Sequence, residues 1–336
     1  MKKLCLAAAL LLLLSGCAPA AETQKKELFA MDTIMTLSAT GQKADAALSA
    51  AVAAINHADT LWNYEQESSE LYKLNHAGTT AIQCSAETID VLVKALKYAR
   101  LTKGRFDPTI APLSAAWDIT GNPRVPSDAE LAKLLPLVDY TQLVIEGDTA
   151  RFAKEGMMAD LGGIGKGAIS DTVMQIMKDN GVNSALISLG GNIGAMGKKS
   201  GGAPYKIGIR DPDGTQNDTV GYITMTDVFV ISSADNERFF IQDGVRYHHI
   251  FDPSTGKPAN NGLRQVTIVS ENGAMGDAYS TALFVMGLTE ALSFQKAQGD
   301  FQAIWITSDK KITVTEGLRP YFTFTAADKG YTYEEG

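Results

Sequence analysis

Asp160-Leu-Gly-Gly-Ile-Gly-Lys-Gly-Ala-Ile-Ser-Asp171 is the stretch on which the fold of this chain turns. Taken as the dinucleotide fingerprint GxGxxG/A, Gly163-x-Gly165-x-x-Ala168 would open a doubly wound parallel sheet. That fingerprint needs an apolar strand directly before it and an acidic residue roughly twenty positions later to hold a ribose. Asp160 interrupts the approach, and the next strand-like run, Ala185–Leu189, ends in Gly190-Gly191. The phosphate loop fails too, because it needs Ser or Thr after Gly-Lys and this chain has Gly167. What remains is a helix entry crowded by Gly162, Gly163, Gly165 and Gly167. Backbone without Cβ atoms lets a ligand come close. The first N–H groups of a helix are unpaired and favour an anion, and Lys166 adds a positive charge. The same residues also suit a plain helix entry with a solvated lysine.

Outward from this run, helical patterns cover Asp45–Trp62, Ser85–Leu101, a segment opened by the capping-box pattern Ser127-Asp-Ala-Glu130, Lys166–Asn180 closed by Gly181, and Gly276–Met286 ended by Gly287. Strand-like runs cover Thr33–Ala39, Gln142–Glu146, Ser184–Leu189, Tyr205–Arg210, Gly221–Thr226, Val228–Ser232, Val266–Val269, Ala303–Thr307 and Ile312–Thr315. Thr215–Asp218 and Ser308–Lys310 have the composition of hairpin loops. Consecutive, turn-linked strands predict an α+β fold with largely antiparallel sheets and packed helices.

Residues 1–16 have the form of a signal peptide: basic Lys2-Lys3, then apolar Leu4–Leu14, too short to span a bilayer. Leu14-Ser15-Gly16-Cys17 resembles the bacterial lipoprotein box, which predicts a lipidated Cys17 and a short tether over residues 17–26. The expected location is the extracytoplasmic face of a bacterial membrane, held by the lipid. The mature chain then keeps Cys17 and Cys84 and has no disulfide to form, and about 320 residues bury ample core without one. The net charge is −8, and more negative once Lys2 and Lys3 are removed. An acidic surface argues against nucleic acid and gives no pull toward anionic lipid.

Several segments carry possible chemistry. Asp277 and Thr281 lie four apart on one helix face. They are two oxygen ligands for a hard cation such as Mg²⁺, which needs few protein ligands, or an N-cap and a core-facing threonine. The pair His248-His249 invites zinc, but no third ligand is spaced for it. One histidine acting as a general base competes there with a strand histidine whose ring is satisfied. Arg238 meets a phosphate or pairs with Glu237 or Asp235. Trp62 and Tyr64 stack on a planar ring or plug a helix end.

Taken in order, Met31-Asp-Thr33, Ser69–Asn75, Gly104-Arg-Phe-Asp-Pro108, Asp160–Gly167, Ile187-Ser-Leu-Gly-Gly-Asn192, Glu237-Arg-Phe-Phe240, His249–Gly256 and Asp277-Ala-Tyr-Ser-Thr281 closely resemble the ApbE family of FAD:protein FMN transferases, commonly exported lipoproteins. The resemblance spans about Glu27 to Thr325. It implies a single compact, T-fold-like transferase domain over residues 27–325 and a C-terminal tail over 326–336. It also implies FAD as substrate, Mg²⁺ as cofactor, and transfer of FMN to a Thr or Ser hydroxyl of a partner protein with release of AMP. Metal ligation would map to the side chains of Asp277 and Thr281 and the carbonyl of Gly163, with Ser280 close by. FAD contacts would map to Met31, Tyr64, Arg105, Phe106, Asp107, Asp160, Lys166 and Phe251. His249 would be the base, with Asp277 and Lys166 completing the catalytic set. Family acceptors carry Asp-x-x-Ser/Thr-Gly-Ala-Thr/Ser in flavin-bearing subunits of membrane redox complexes, a motif this chain lacks. Ala168 stands where relatives often have an aromatic, Ala234 and Asn236 replace a commoner Gly and Tyr, and Trp62 competes with Tyr64 for the flavin. Two rival readings remain: an FAD pyrophosphatase giving FMN and AMP, and a flavin-binding lipoprotein with no chemistry.

Overall fold

The computed structural model describes residues 22–335; the signal segment, the lipidation residue Cys17 and the first part of the tether lie outside it. Its frame is a nine-stranded sheet whose spatial order is also its chain order. The strands are β1 (Thr23–Ala30), β2 (Thr33–Thr40), β3 (Ser184–Leu189), β4 (Asn192–Gly197), β5 (Val228–Ala234), β6 (Leu263–Ser270), β7 (Gln302–Thr307), β8 (Lys311–Val314) and β9 (Thr332–Glu335). Every neighbouring pair is antiparallel except β8 and β9, which are parallel. Each strand pairs with the strand that follows it in this sheet, so antiparallel pairing needs no crossover. Helices and small hairpins are inserted between consecutive strands. The main helices are α1 (Ala44–Trp62), α2 (Ala86–Leu101), α3 (Gly165–Asp179) and α4 (Gly273–Gln298). This is the α+β, largely antiparallel class expected.

Side-chain alternation along the strands builds two cores. On β5, Phe229 and Ile231 face the helices and pack with Leu48 and Ile55 of α1 and Ile169 and Val173 of α3. Val228 and Val230 face the other way, under the hairpin Tyr205–Arg210/Thr219–Met225, against Ile207, Ile209 and Ile223. A further core gathers Leu92 of α2, Tyr279 and Phe284 of α4, and Trp305 of β7. Each such side chain taken out of water contributes about 1.5–3 kcal/mol.

Four expectations need correction. Thr23–Lys26, within the expected tether, forms the first half of β1, paired along its whole length with β2. Its side chains alternate between exposed and half-buried, so it carries no apolar signal. The proposed tail contains β9, which extends the sheet beside β8. The helix through Asp277 starts at Gly273 and does not stop at Gly287. That glycine breaks the helix with φ 74°, after which helix resumes to Gln298. Ser127 caps its helix as expected, accepting from the Glu130 N–H at 3.2 Å, but the Glu130 carboxylate goes to Arg124 and does not return to close the box.

Candidate active site

The β1–β2 and β3–β4 turns, the start of α3 and the first turns of α4 all open into one cleft of about 1180 Å³. That exceeds the usual small-ligand pocket and leaves room for an extended ligand. The β1–β2 turn is made by Met31 and Asp32, both left-handed at φ 48° and 56°. This is the two-residue hairpin geometry that normally calls for Gly or Asn, so a bulky Met there holds local strain at the rim. The Met31 N–H is fixed by donating to Asp59 Oδ1 of α1 at 3.1 Å.

The centre of the site is the crossing of α3 and α4. A methyl group on Gly167 would lie 2.2 Å from the Gly273 carbonyl oxygen and 2.7 Å from Cβ of Asp277. Glycine is therefore required for the helices to meet. At that contact the Gly167 N–H donates to Asp277 Oδ2 at 2.8 Å. Asp171, one turn further along α3, accepts from the Gly273 and Ala274 N–H groups at 2.6 and 3.0 Å and so pins the start of α4. Asn272 caps the same helix through the Met275 N–H at 2.7 Å. Thr281 sits one turn beyond Asp277, and a Cβ on Gly163 would lie 3.4 Å from its Oγ1.

Asp277, Thr281 and Gly163 thus converge on the cleft. Asp277 Oδ1 makes no hydrogen bond among the described residues, and the Thr281 hydroxyl meets only Ser233 Oγ, at 3.4 Å. One carboxylate, one hydroxyl and one carbonyl suit a hard cation that keeps waters or phosphate oxygens in its other positions. Among the described residues no cluster of three or more His, Cys, Asp or Glu forms a protein-only cage. Ser280 does not join the set. It is fully buried, and its hydroxyl is spent on the Asp277 carbonyl at 2.9 Å and Ser233 Oγ at 2.8 Å.

Lys166 lines the cleft with Nζ 3.0 Å from the Gly162 carbonyl, and Asp160 tightens the same turn by accepting from the Gly162 N–H at 2.7 Å. Trp62 and Tyr64 both line the wall near them, and Phe106 packs where a Cβ on Gly163 would stand 3.1 Å from its ring. Burial, then the nearby Asp160, pushes the Tyr64 hydroxyl up, so it remains a donor. Phe251 is stacked on Trp117, ring centres 5.8 Å apart. Arg105 and Asp107 also line the cleft, and each has partners within the chain. Arg105 pairs with Glu290 at 2.9 Å. Both Asp107 oxygens serve the turn, accepting from the Thr109 N–H and hydroxyl at 2.8 and 2.6 Å and from the Tyr140 N–H at 3.0 Å.

His249 faces the cleft while its neighbour His248 points inward to the Ala259 carbonyl, 3.0 Å away. His249 Nδ1 lies 3.2 Å from the Arg238 carbonyl oxygen, which only accepts. Nδ1 therefore carries the proton and Nε2 keeps its lone pair. Burial, with the positive charges of Arg238 and Lys166 nearby, pushes the imidazole down to about 3 from 6.5. Its folded pKa is the lower one, so as the pH falls below 6.5 the unfolded chain takes up the proton first and stability is lost toward about 3. We expect the melting temperature of wild type to fall more steeply from pH 6.5 to 4 than that of His249→Asn. Parallel melting curves for the two proteins would contradict this.

Buried polar atoms in folded chains nearly always have partners. Four that have none, Trp62 Nε1, Asn192 Nδ2, Arg210 Nε and Asn236 Oδ1, belong to residues lining this one cleft. Asn192 lies in the run Ile187–Asn192, directly after two turn glycines, where an asparagine reads as ordinary turn chemistry. Arg210 and Asn236 gave no signal beyond their residue type.

Comparison with known proteins agrees with this fold. The profile of the ApbE family matches residues 31–305. A protein of Treponema pallidum named FAD:protein FMN transferase is 31% identical over 290 residues, covering 81% of this chain and 80% of its own. One of Klebsiella pneumoniae with the same name is 30% identical over 281 residues, covering 82% and 86%. The crystal structure of the ApbE protein of Thermotoga maritima superposes with a TM-score of 0.84 at 31% identity, covering 89% of this chain and 99% of that one. The flavin transferase ApbE of Vibrio cholerae gives 0.80 at 26%, covering 90% and 99%.

Proposed function

This chain belongs to the ApbE family, and from that premise we propose that it moves the FMN half of FAD onto a Thr or Ser hydroxyl of an acceptor protein and releases AMP. The observation that carries this reading is the meeting, in one cleft, of Asp277 held by the Gly167 N–H, of Lys166, and of a His249 whose Nε2 is free to accept a proton. Asp277, Thr281 and the Gly163 carbonyl would hold Mg²⁺, which when bound offsets charge on the pyrophosphate.

The chain's own residues supply the rest. Lys166 lies where negative charge grows on the phosphoryl oxygens, and the N-terminus of α3 favours the same anion. His249 Nε2 takes the proton of the acceptor hydroxyl as that oxygen bonds to the FMN phosphorus. The bond from that phosphorus to the AMP phosphate oxygen breaks, and AMP leaves. A low pKa makes His249 a weak base by itself, and an anionic substrate beside it raises its affinity for the proton. Trp62, Tyr64, Met31, Phe106 and Phe251 offer the apolar and aromatic surface a flavin ring needs.

The test is incubation of the mature chain with FAD, Mg²⁺ and an acceptor bearing Asp-x-x-Ser/Thr-Gly-Ala-Thr/Ser, following acceptor mass and free AMP together. Acceptor gaining one FMN with matching AMP is the expected result. AMP and free FMN with unmodified acceptor would make the chain an FAD pyrophosphatase, and no product would leave a flavin-binding protein. The reading includes anchorage through a lipid on Cys17 at the outer face of a bacterial membrane. Among the described residues no helix is long and apolar enough to cross one. Cys17→Ala should move the chain from the membrane to the soluble fraction; a variant that stays on the membrane would refute the anchor.

A further inference from the structure

We propose that Asn192, Arg210, Asn236 and Glu237 form a subsite that holds the main chain of the acceptor polypeptide beside the reacting hydroxyl; this rests on the transferase reading above. Asn192 opens β4 behind Gly190 and Gly191, whose φ of 59° and 94° make the tight turn. It is 2% exposed and its Nδ2 has no partner. Arg210 sits at an irregularity in its hairpin, next to Ile209, with Nε unpartnered. Asn236 donates from Nδ2 to the Pro212 carbonyl at 2.8 Å, which fixes the amide orientation and leaves Oδ1 as an unpartnered acceptor. Glu237 adds a carboxyl group 3.8 Å from where a Cβ on Gly191 would stand. All four residues line the cleft that also holds Lys166 and Asp277.

The chemistry of these atoms selects the ligand. Two orphan N–H donors, one orphan carbonyl acceptor and a carboxyl group call for a partner that both accepts and donates. A phosphate at neutral pH only accepts. It would face Asn236 Oδ1 with no proton to share and would meet the Glu237 carboxyl head-on. A flat ring is served by the aromatic and apolar residues Trp62, Tyr64, Phe106 and Phe251 of the same cleft. A peptide group supplies what is missing: its C=O to Asn192 and Arg210, its N–H to Asn236 and Glu237.

Asn192→Ala and Arg210→Gln are the variants to measure, each for FAD affinity by flavin fluorescence and for acceptor KM and kcat at saturating FAD. We expect acceptor KM to rise about tenfold, the worth of one buried hydrogen bond, with FAD affinity within twofold of wild type, which also reports an intact fold. Weakened FAD binding with unchanged acceptor KM would assign the subsite to FAD and overturn the proposal, as would two variants with wild-type constants. If wild type itself transfers nothing, the transferase reading falls and takes the subsite with it, an outcome distinct from the other two because there wild type is active.

Discussion

Asp277→Ala is expected to reduce FMN transfer by on the order of 10³-fold or more, the usual scale for removing a group that stabilises transition-state charge. Asp277 is the one carboxylate among the three oxygen donors that converge on the cleft, and Thr281 and the Gly163 carbonyl carry no net charge to replace it. The substitution also leaves the buried Gly167 N–H without its acceptor, which costs about 1–3 kcal/mol of stability. Asp277→Asn separates the two effects, because an amide oxygen can still accept from Gly167 while the charge is gone. We expect near wild-type melting and lost transfer for Asn, lost transfer and lower melting for Ala. Rates measured across a Mg²⁺ series decide the assignment: Asp277→Asn retaining transfer within threefold of wild type would remove Asp277 from the metal site.

Gly167→Ala is expected to destabilise the fold by about 3 kcal/mol, at the upper end for overpacking, because the new methyl meets backbone. The Gly273 carbonyl oxygen would lie 2.2 Å from it, and a flexible side chain is not available there to yield. Relief requires α3 and α4 to separate, which pulls Asp277 Oδ2 off the Gly167 N–H. Stability and transfer should therefore fall together, and urea unfolding followed alongside turnover reads both. Wild-type stability in this variant would show that the helices can part without penalty.

Legibility in the sequence followed how strongly each segment buries one face. The helix Ala44–Trp62 and the strands Ser184–Leu189 and Val228–Ala234 announce themselves because they bury regular apolar patterns. β1 did not, since Thr-Gln-Lys-Lys-Glu is an edge strand whose partner lies on one side only, and polar residues satisfy it. β4 did not either, because Asn-Ile-Gly-Ala-Met-Gly packs glycine where Met174, Phe229 and Ile187 leave no room for a side chain. The break at Gly287 was visible as a helix end, but the apolar and aromatic contacts of Phe294 that carry helix beyond it are tertiary. At the site, Lys166, Asp277 and Thr281 stand out by charge and spacing, and the structure brings them to one cleft with His249. That Ser280, Arg105 and Asp107 hold partners within the chain depends on residues far off in sequence or on turn geometry, which residue type alone does not reveal.

In the large sheet the β1–β2, β3–β4 and β7–β8 pairings are closed by tight turns, and the others by inserted helices and hairpins. The seam between β2 and β3 has the longest bridge, everything from Gly41 to Asn183. At equilibrium this long detour costs little, since closing a loop adds only about 0.6 kcal/mol for each doubling of its length. Kinetically it is another matter, because distant contacts reward the chain only after that entropy is spent. The β1–β2 pairing is local, and its union with β3 is expected to be the slow event. The turns of both halves line the cleft, so a chain halted before that union has only part of it, and FAD binding there as proposed would act as a thermodynamic latch on the finished sheet. Refolding followed in parallel by far-UV signal and by flavin fluorescence should show secondary structure appearing before FAD capture; simultaneous appearance would place the seam early.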